Sequence, residues 1–347
     1  MSRQSKRVVV ALGGNAILQS HQRGTAAEQQ ANVAATAAQI GELIEAGWEV
    51  IVTHGNGPQV GNILIQNEEA AGIVPPMPLD VCGAQSQGLL GYFLQQALGN
   101  QLRVRGIPRQ VATVISQVVV AADDPAFMSP TKPIGPFFTR ERAERLKAER
   151  GYMMVEVGPR GWRRVVASPD PKAIVERDTI LGLVQAGVVV VAVGGGGVPV
   201  TADPEGGYRG VEAVIDKDLA GQRLARDVGA THFLILTDVE RVMLDYGRPS
   251  QRPVDRLTVR EAREHLAAGQ FPPGSMGPKV EAAVRFVEAG GDLCAITSLH
   301  QAVDALRGTA GTRVVPDNAP VDSRPPCSPR GTTGHQNSGR RETAFSG

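Results

Sequence analysis

Five apolar residues in a row, Val8-Val9-Val10-Ala11-Leu12, run straight into Gly13-Gly14-Asn15. No polar residue interrupts the run, so a strand with one wet face is excluded. The segment predicts a strand buried on both sides, as a parallel sheet between two helical layers requires. The glycine pair lets the chain turn with no Cβ between backbone and ligand, and Asn15 is placed to cap a following helix. Free N–H groups at such a strand–turn–helix junction suit an anion such as phosphate.

The same pattern recurs down the chain. A strand at 49–53 leads into His54-Gly55-Asn56-Gly57-Pro58, one at 187–193 into Gly194 to Gly197, and one at 232–236 into Thr237-Asp238-Val239. Further strands are expected at 111–120 and, as the last, at 293–297. Helical spacing fills the intervals at 25–46 (ended by Gly47), 79–98, 174–186, 280–289 and 301–306. Alternation of this kind predicts an α/β fold whose mainly parallel sheet is covered on both faces. Ligands then gather at the carboxyl ends of the strands. Four consecutive glycines cost entropy that a plain turn does not justify, so Gly195 and Gly196 are expected to lie against a ligand.

Residues 121–170 break the pattern. Four prolines between Asp123 and Phe138 rule out regular helix or a central strand. A charged helix at 140–150 follows, then a hairpin of 152–157 and 162–167, so the block is expected to form a small inserted subdomain or lid. Lys132, among the prolines, fits either a charge delivered to a site or a plain surface lysine. Asp216-Lys217-Asp218 opens a helix, where it serves either as a local ion pair or as a cation oriented for phosphate. Lys279 adds positive charge to the positive end of its helix, which is unfavourable unless an anion binds there. His54 is a candidate acid or base with no identifiable carboxylate or serine partner. From 316 to 347 the chain turns proline-, glycine- and serine-rich and is expected to be disordered.

Charge and cysteine content narrow the class. A formal net charge of +1 gives no field for nucleic acid or membrane, and no apolar stretch approaches the roughly 20 residues of a spanning helix. Three scattered cysteines, Cys82, Cys294 and Cys327, make neither a disulfide framework nor a metal motif, which fits reducing cytoplasm. The start of the chain is polar and its first apolar run too short for a signal peptide. A P-loop motif is absent, and the strand-associated loops do not form the dinucleotide fingerprint. Glycine loops with separated lysines are the equipment of phosphoryl transfer to a small molecule.

Six segments in order, Val-Ala-Leu-Gly-Gly-Asn-Ala from Val10, Thr-His-Gly-Asn-Gly-Pro-Gln-Val-Gly from Thr53, Lys-Pro-Ile-Gly-Pro-Phe from Lys132, Ala-Val-Gly-Gly-Gly-Gly-Val-Pro-Val from Ala192, Gly-Val-Glu-Ala-Val-Ile-Asp-Lys-Asp from Gly210 and Gly-Ser-Met-Gly-Pro-Lys from Gly274, carry a resemblance. Together they resemble the carbamate kinases of the amino-acid kinase superfamily, over about 8–315. The resemblance implies an open αβα sandwich over 1–315, with a protruding subdomain at about 121–170 and a nucleotide half at about 210–315. It also implies a homodimer and reversible transfer between ATP and carbamate, giving ADP and carbamoyl phosphate. The usual direction would be ATP synthesis in arginine and carbamoyl phosphate catabolism, with Mg2+ held mainly by the nucleotide phosphates. By the same resemblance Gly13, Gly14, Asn15, Gly55, Asn56, Gly57, Gly195 and Gly196 would bind carbamate and the phosphoryl group. Lys132, Lys217 and Lys279 would be catalytic, with Asp218 orienting the lysines. Adenine would lie among Thr237, Asp238, Val239 and Met243 and the loop Gly274, Ser275, Met276 and Gly277. Relatives such as acetylglutamate kinase carry a lysine where this chain has Ala11, and Lys132 would replace that charge. Two other readings stay open: another amino-acid kinase acting on a carboxylate, phosphate or phosphonate, and a nucleotide-binding regulator without catalysis. The 316–347 segment is either a partner-binding tail or an extension without function.

Overall fold

The computed structural model describes residues 6–19 and 21–320. Arg7–Leu12 is a central strand of an eight-stranded sheet. From one edge the order is Arg256–Thr258, Thr312–Val315, Leu293–Ser298, His232–Thr237, Arg7–Leu12, Glu49–His54, Val189–Ala192 and Val111–Val114. The six strands from Leu293–Ser298 to Val111–Val114 are mutually parallel, and Thr312–Val315 runs antiparallel to its neighbour Leu293–Ser298.

The unbroken apolar run reflects this position. Val8, Val10 and Leu12 enter one core and Val9 and Ala11 the other, all fully buried. The first core is closed by Ala26–Glu45, Leu79–Val104 and Ala302–Leu306. The second is closed by Arg177–Gln185, Lys217–Asp227, Val259–Ala267 and Met276–Glu288. Chain direction is set locally: Thr25 caps Ala26–Glu45 in a reciprocal box with Glu28, and Gly47 leaves it at φ +89°. The result is the expected αβα layering.

Four details differ from the sequence reading. Residues 111–120 do not form one strand: Val111–Val114 edges the main sheet, while Gln117–Val119 joins a four-stranded sheet beside Val198–Ala202. The cause is Gln87, whose amide oxygen accepts from Ser116 N–H (2.9 Å) and whose amide nitrogen donates to the Ser116 carbonyl (3.1 Å). The Ser116 N–H is thereby withdrawn from the main-sheet ladder, while its carbonyl also accepts from Val198 N–H (2.8 Å) and so starts the second sheet. Helix begins only at Arg177, because Ala173–Ile174 first pairs with Gln117–Val119. Asn15 lies inside a single 3-10 turn, Gly14–Ala16, capped by Gly13, rather than capping a helix itself. Thr312–Val315 follows Leu293–Ser298 as a further strand.

The 121–170 block contains a three-stranded antiparallel sheet, Lys132–Phe138 and Met154–Glu156 flanking Trp162–Val166, with helix Arg140–Arg150 beside it. It rests on helix Gly57–Glu69 by backbone contact. A Cβ on Gly61 would stand 2.0 Å from the Gly135 Cα. Farther along the same helix, Glu68 accepts hydrogen bonds from Arg150 and Tyr152. Gly61→Ala is therefore expected to push the strand Lys132–Phe138 off its seat. Overpacking of this kind costs about 1–3 kcal/mol, so hydrogen exchange across 132–166 should rise about tenfold or more while Arg7–Leu12 stays protected. Equal exchange in both proteins would mean that this contact does not hold the subdomain.

The first residues of the expected tail are held at the sheet edge: Asp317 accepts from Arg260 N–H (3.0 Å) and the Ala319 carbonyl from Arg256 (3.0 Å). Residues 321–347, with Cys327, lie outside the described residues. Cys82 and Cys294 are buried and free.

Candidate active site

At the carboxyl end of the first strand, Gly13 N–H donates to the Leu236 carbonyl (2.8 Å). A Cβ there would meet that oxygen at 2.7 Å, so glycine is required by the neighbouring strand. Gly14 has open space around it instead. One strand over, Gly55 packs on the Lys217 side chain, and Asn56, which precedes helix Gly57–Glu69, donates to Ser86 Oγ (2.7 Å).

The four-glycine loop explains itself mainly through protein atoms. A Cβ on Gly194 would strike the His54 ring, on Gly195 the Asn56 amide, on Gly196 the Ile215 carbonyl and on Gly197 Val118. Of the four, Gly195 also borders the smaller cavity described below, and Gly196, though buried, does not. Val193, which leads into the loop, takes φ +56°, a strained conformation for a β-branched residue. Thr53 Oγ1 donates to its carbonyl (2.9 Å) and its N–H donates to Ser116 Oγ (2.9 Å), which fixes that geometry.

His54 is 1% exposed, and burial lowers its pKa to about 4 although the Gly55 carbonyl opposes the shift. It is therefore a neutral packing group, not an acid or base facing substrate. Its pH effect has a definite sign. The unfolded chain takes up the proton below about 6.5 while the fold resists until about 4, so stability is whole above 6.5 and falls as pH drops through that window. The full contribution is on the order of 3 kcal/mol. His54→Gln should flatten urea-unfolding stability between pH 6.5 and 4, and an unchanged slope would contradict this assignment.

Three lysines and two aspartates meet at the start of helix Lys217–Asp227. Asp216 caps the helix, accepting from Asp218 N–H (2.9 Å) and Leu219 N–H (3.4 Å). Asp218, 2% exposed, takes Lys217 Nζ on one oxygen (2.5 Å) and Lys279 Nζ on the other (2.9 Å). Lys132 Nζ reaches Asp216 Oδ2 at 2.6 Å. Burial opposes ionisation of Asp218, but the two ammonium groups override it and hold the carboxyl well below the usual range. Burial and the neighbouring Lys279 lower Lys217, whereas Asp218 outweighs burial at Lys279 and raises it. Asp218 is thus the anion that makes Lys279 tolerable in the first turns of its helix.

Two cavities open here. The smaller, about 190 Å³, is bordered by Gly55, Asn56, Gly57, Lys132, Gly195 and Asp216. The larger, about 550 Å³, is bordered by Gly13, Asn15, Thr237 and Asp238. Gly14, Lys217 and Lys279 border both. Two chambers sharing one wall of two lysines and a bare backbone suit a group that passes between two bound molecules. The expected adenine residues are not brought to one place. Thr237 and Asp238 line the larger chamber, and Gly274 and Ser275 the smaller. Val239, Met243, Met276 and Gly277 border neither, Met276 being packed on the core. Sequence reasoning missed Asn32, Thr36, Ser298 and His300 on the larger chamber, since helix and loop polar residues carry no motif. Asp216 was visible only as a neighbour of Lys217.

The profile of the amino acid kinase family matches residues 6–298. Carbamate kinase of Pyrococcus furiosus is 52% identical over 313 residues, covering 90% of this chain and 99% of its own. Carbamate kinase of Trichomonas vaginalis is 48% identical, covering 90% and 100%. The structure of Giardia lamblia carbamate kinase bound to AMP-PNP superposes with a TM-score of 0.84 at 43% identity, over 90% of this chain and 99% of that one.

Proposed function

Since this chain belongs to the amino acid kinase family and, within it, to the carbamate kinases, we propose that it moves a phosphoryl group between ATP and carbamate across the wall shared by its two chambers. The nucleotide phosphates reach Gly14, Lys217 and Lys279 from the larger chamber, and the carbamoyl group occupies the smaller one beside Lys132. The observation that carries the reading is the pair of lysines, oriented by one buried carboxylate, facing both chambers.

The chemistry needs little more. A carbamate oxygen is already anionic, so its attack on the γ-phosphorus requires no general base. The barrier lies in bringing anions together and stabilising charge on the oxygens in flight. Lys217 and Lys279 supply that charge, Lys132 supplies it on the carbamoyl side, and backbone N–H groups at Gly14, Asn56 and Gly57 fix the oxygens without reorganisation, whereas the Gly55 N–H is committed to the Leu12 carbonyl (3.1 Å). Magnesium bound to the nucleotide phosphates would neutralise part of their charge. Among the described residues no group of three His, Cys, Asp or Glu side chains is arranged to hold a metal, and Asp216 and Asp218 already face lysines. Carbamoyl phosphate is a mixed anhydride, and its high transfer potential supports net flow toward ATP, as in arginine catabolism.

A homodimer is supported by the edge strand Val111–Val114, which pairs on one side only, and by Leu89 and Tyr92 exposed on the adjoining helix. Sedimentation should give twice the chain mass. The two buried free thiols fit a reducing cytoplasm.

The test is ATP formation from ADP, magnesium and carbamoyl phosphate by coupled assay, with Lys132→Ala alongside. The parent should turn over and the variant should lose about 100-fold, the usual scale for one charge at a transition state. Folded, nucleotide-binding protein that makes no ATP would instead direct the search to other carboxylate or phosphonate acceptors.

A further inference from the structure

Asp216 stands between the inserted subdomain and the catalytic helix. Its residue is 9% exposed, and its two oxygens do different work. Oδ1 caps the helix that carries Lys217 and Asp218, and Oδ2 accepts from the Lys132 ammonium at 2.6 Å. The backbone on either side reinforces this junction. Val214 N–H donates to the Ala167 carbonyl (2.9 Å), Ala213 bridges Ala167, and Val166 pairs with Lys132 across the subdomain sheet. One short segment, 213–216, is therefore fixed to the subdomain and to the helix start at once. Lys132 has a flexible four-carbon stem and a side chain only 26% exposed. Without an anchor that stem samples rotamers leading out of the chamber.

We propose that Asp216 is a positioning residue for the reaction: it holds the Lys132 ammonium at the carbamoyl chamber and ties the placement of the inserted subdomain to the start of the helix bearing Lys217 and Asp218. The inference rests on the proposed role of Lys132. Substrate anions then meet a lysine already aimed, and part of the orientation cost is met before binding. Neutral capping does not explain the arrangement, because Oδ1 alone performs the cap and the second oxygen with its charge is left for Lys132.

Asp216→Asn separates the two tasks, since asparagine caps a helix as well as aspartate but carries no charge for Lys132. Asp216→Ser also caps and is too short to reach the ammonium, so it serves as a second variant if the first folds poorly. With intact thermal unfolding and ADP affinity within about twofold of the parent, either variant should lose about 10- to 100-fold in kcat/KM for carbamoyl phosphate, the range of a lost charge-assisted hydrogen bond. In a Lys132→Ala background the same change should cost less than about twofold. Equal losses in both backgrounds would overturn the inference and make Asp216 a support of Lys217 and Asp218 alone. Full turnover of Asp216→Asn would overturn it as well. Full turnover of Lys132→Ala would remove the role assigned to that lysine, and this inference with it.

Discussion

Asp218→Ala is expected to lose measurable turnover and about 3–5 kcal/mol of unfolding free energy, the cost of stripping the partner from buried charge. The carboxylate is 2% exposed and bonds both Lys217 and Lys279, whose side chains are 13% and 15% exposed. Its removal leaves two ammonium groups facing each other in a space with little water. One of them must deprotonate, turn away or draw in an anion, and each response costs stability or geometry. Asp218→Asn keeps the shape and removes the charge, so it isolates the electrostatic part. The pH dependence has the sign of a depressed carboxyl pKa. The contribution is complete above the unfolded value of about 3.9 and is lost as pH falls below it toward the lower folded value. Urea unfolding at pH 7 with a coupled assay checks both halves. A variant as stable as the parent would show that the lysines need no buried counter-charge. Phosphate or ADP should stabilise Asp218→Ala more than the parent, because an added anion takes the place of the missing carboxylate.

What was legible in the sequence depended on whether the cause was local. The strand Arg7–Leu12 could be read because burial on both faces leaves an unbroken apolar run. The helix Arg140–Arg150 could be read because its charges and the following Gly151, at φ +67°, mark its surface and its end. The break at Ser116 could not, since it is made by Gln87, far back in the chain on another element. The glycines at 194–197 announce a close approach without saying what approaches. Three of the four meet protein rather than the chamber. Within the site, the glycine turns and the Lys217–Asp218 pair follow from motifs. The contact of Lys132 with Asp216 joins positions 84 apart and exists only once the inserted subdomain has seated on Gly57–Glu69. That seat is a backbone contact between two glycines, and glycine spacing alone does not reveal its partner.

Lys217→Ala and Lys279→Ala should behave opposite to Asp218→Ala in stability while matching it in activity. Each is expected to lower kcat at least 100-fold, about 2.7 kcal/mol of transition-state stabilisation, because both lysines border both chambers. The fold should be indifferent. Two ammonium groups share one carboxylate, so removing either leaves a one-to-one pair and relieves a repulsion. Burial and Lys279 already disfavour the charged form of Lys217. Unfolding free energies are therefore expected within about 1 kcal/mol of the parent, with Lys217→Ala the more stable of the two variants. Methionine at either position fills the same volume and guards against a cavity effect. The excess positive charge has no structural use, since a single lysine would satisfy Asp218. Its presence is explained by an anion that arrives later, and in the proposed reaction that anion is the phosphoryl group passing between the chambers. If Lys217→Ala instead lost as much stability as Asp218→Ala, the cluster would be a structural network first, and the catalytic charge would have to be sought at Lys132 and the backbone of Gly14.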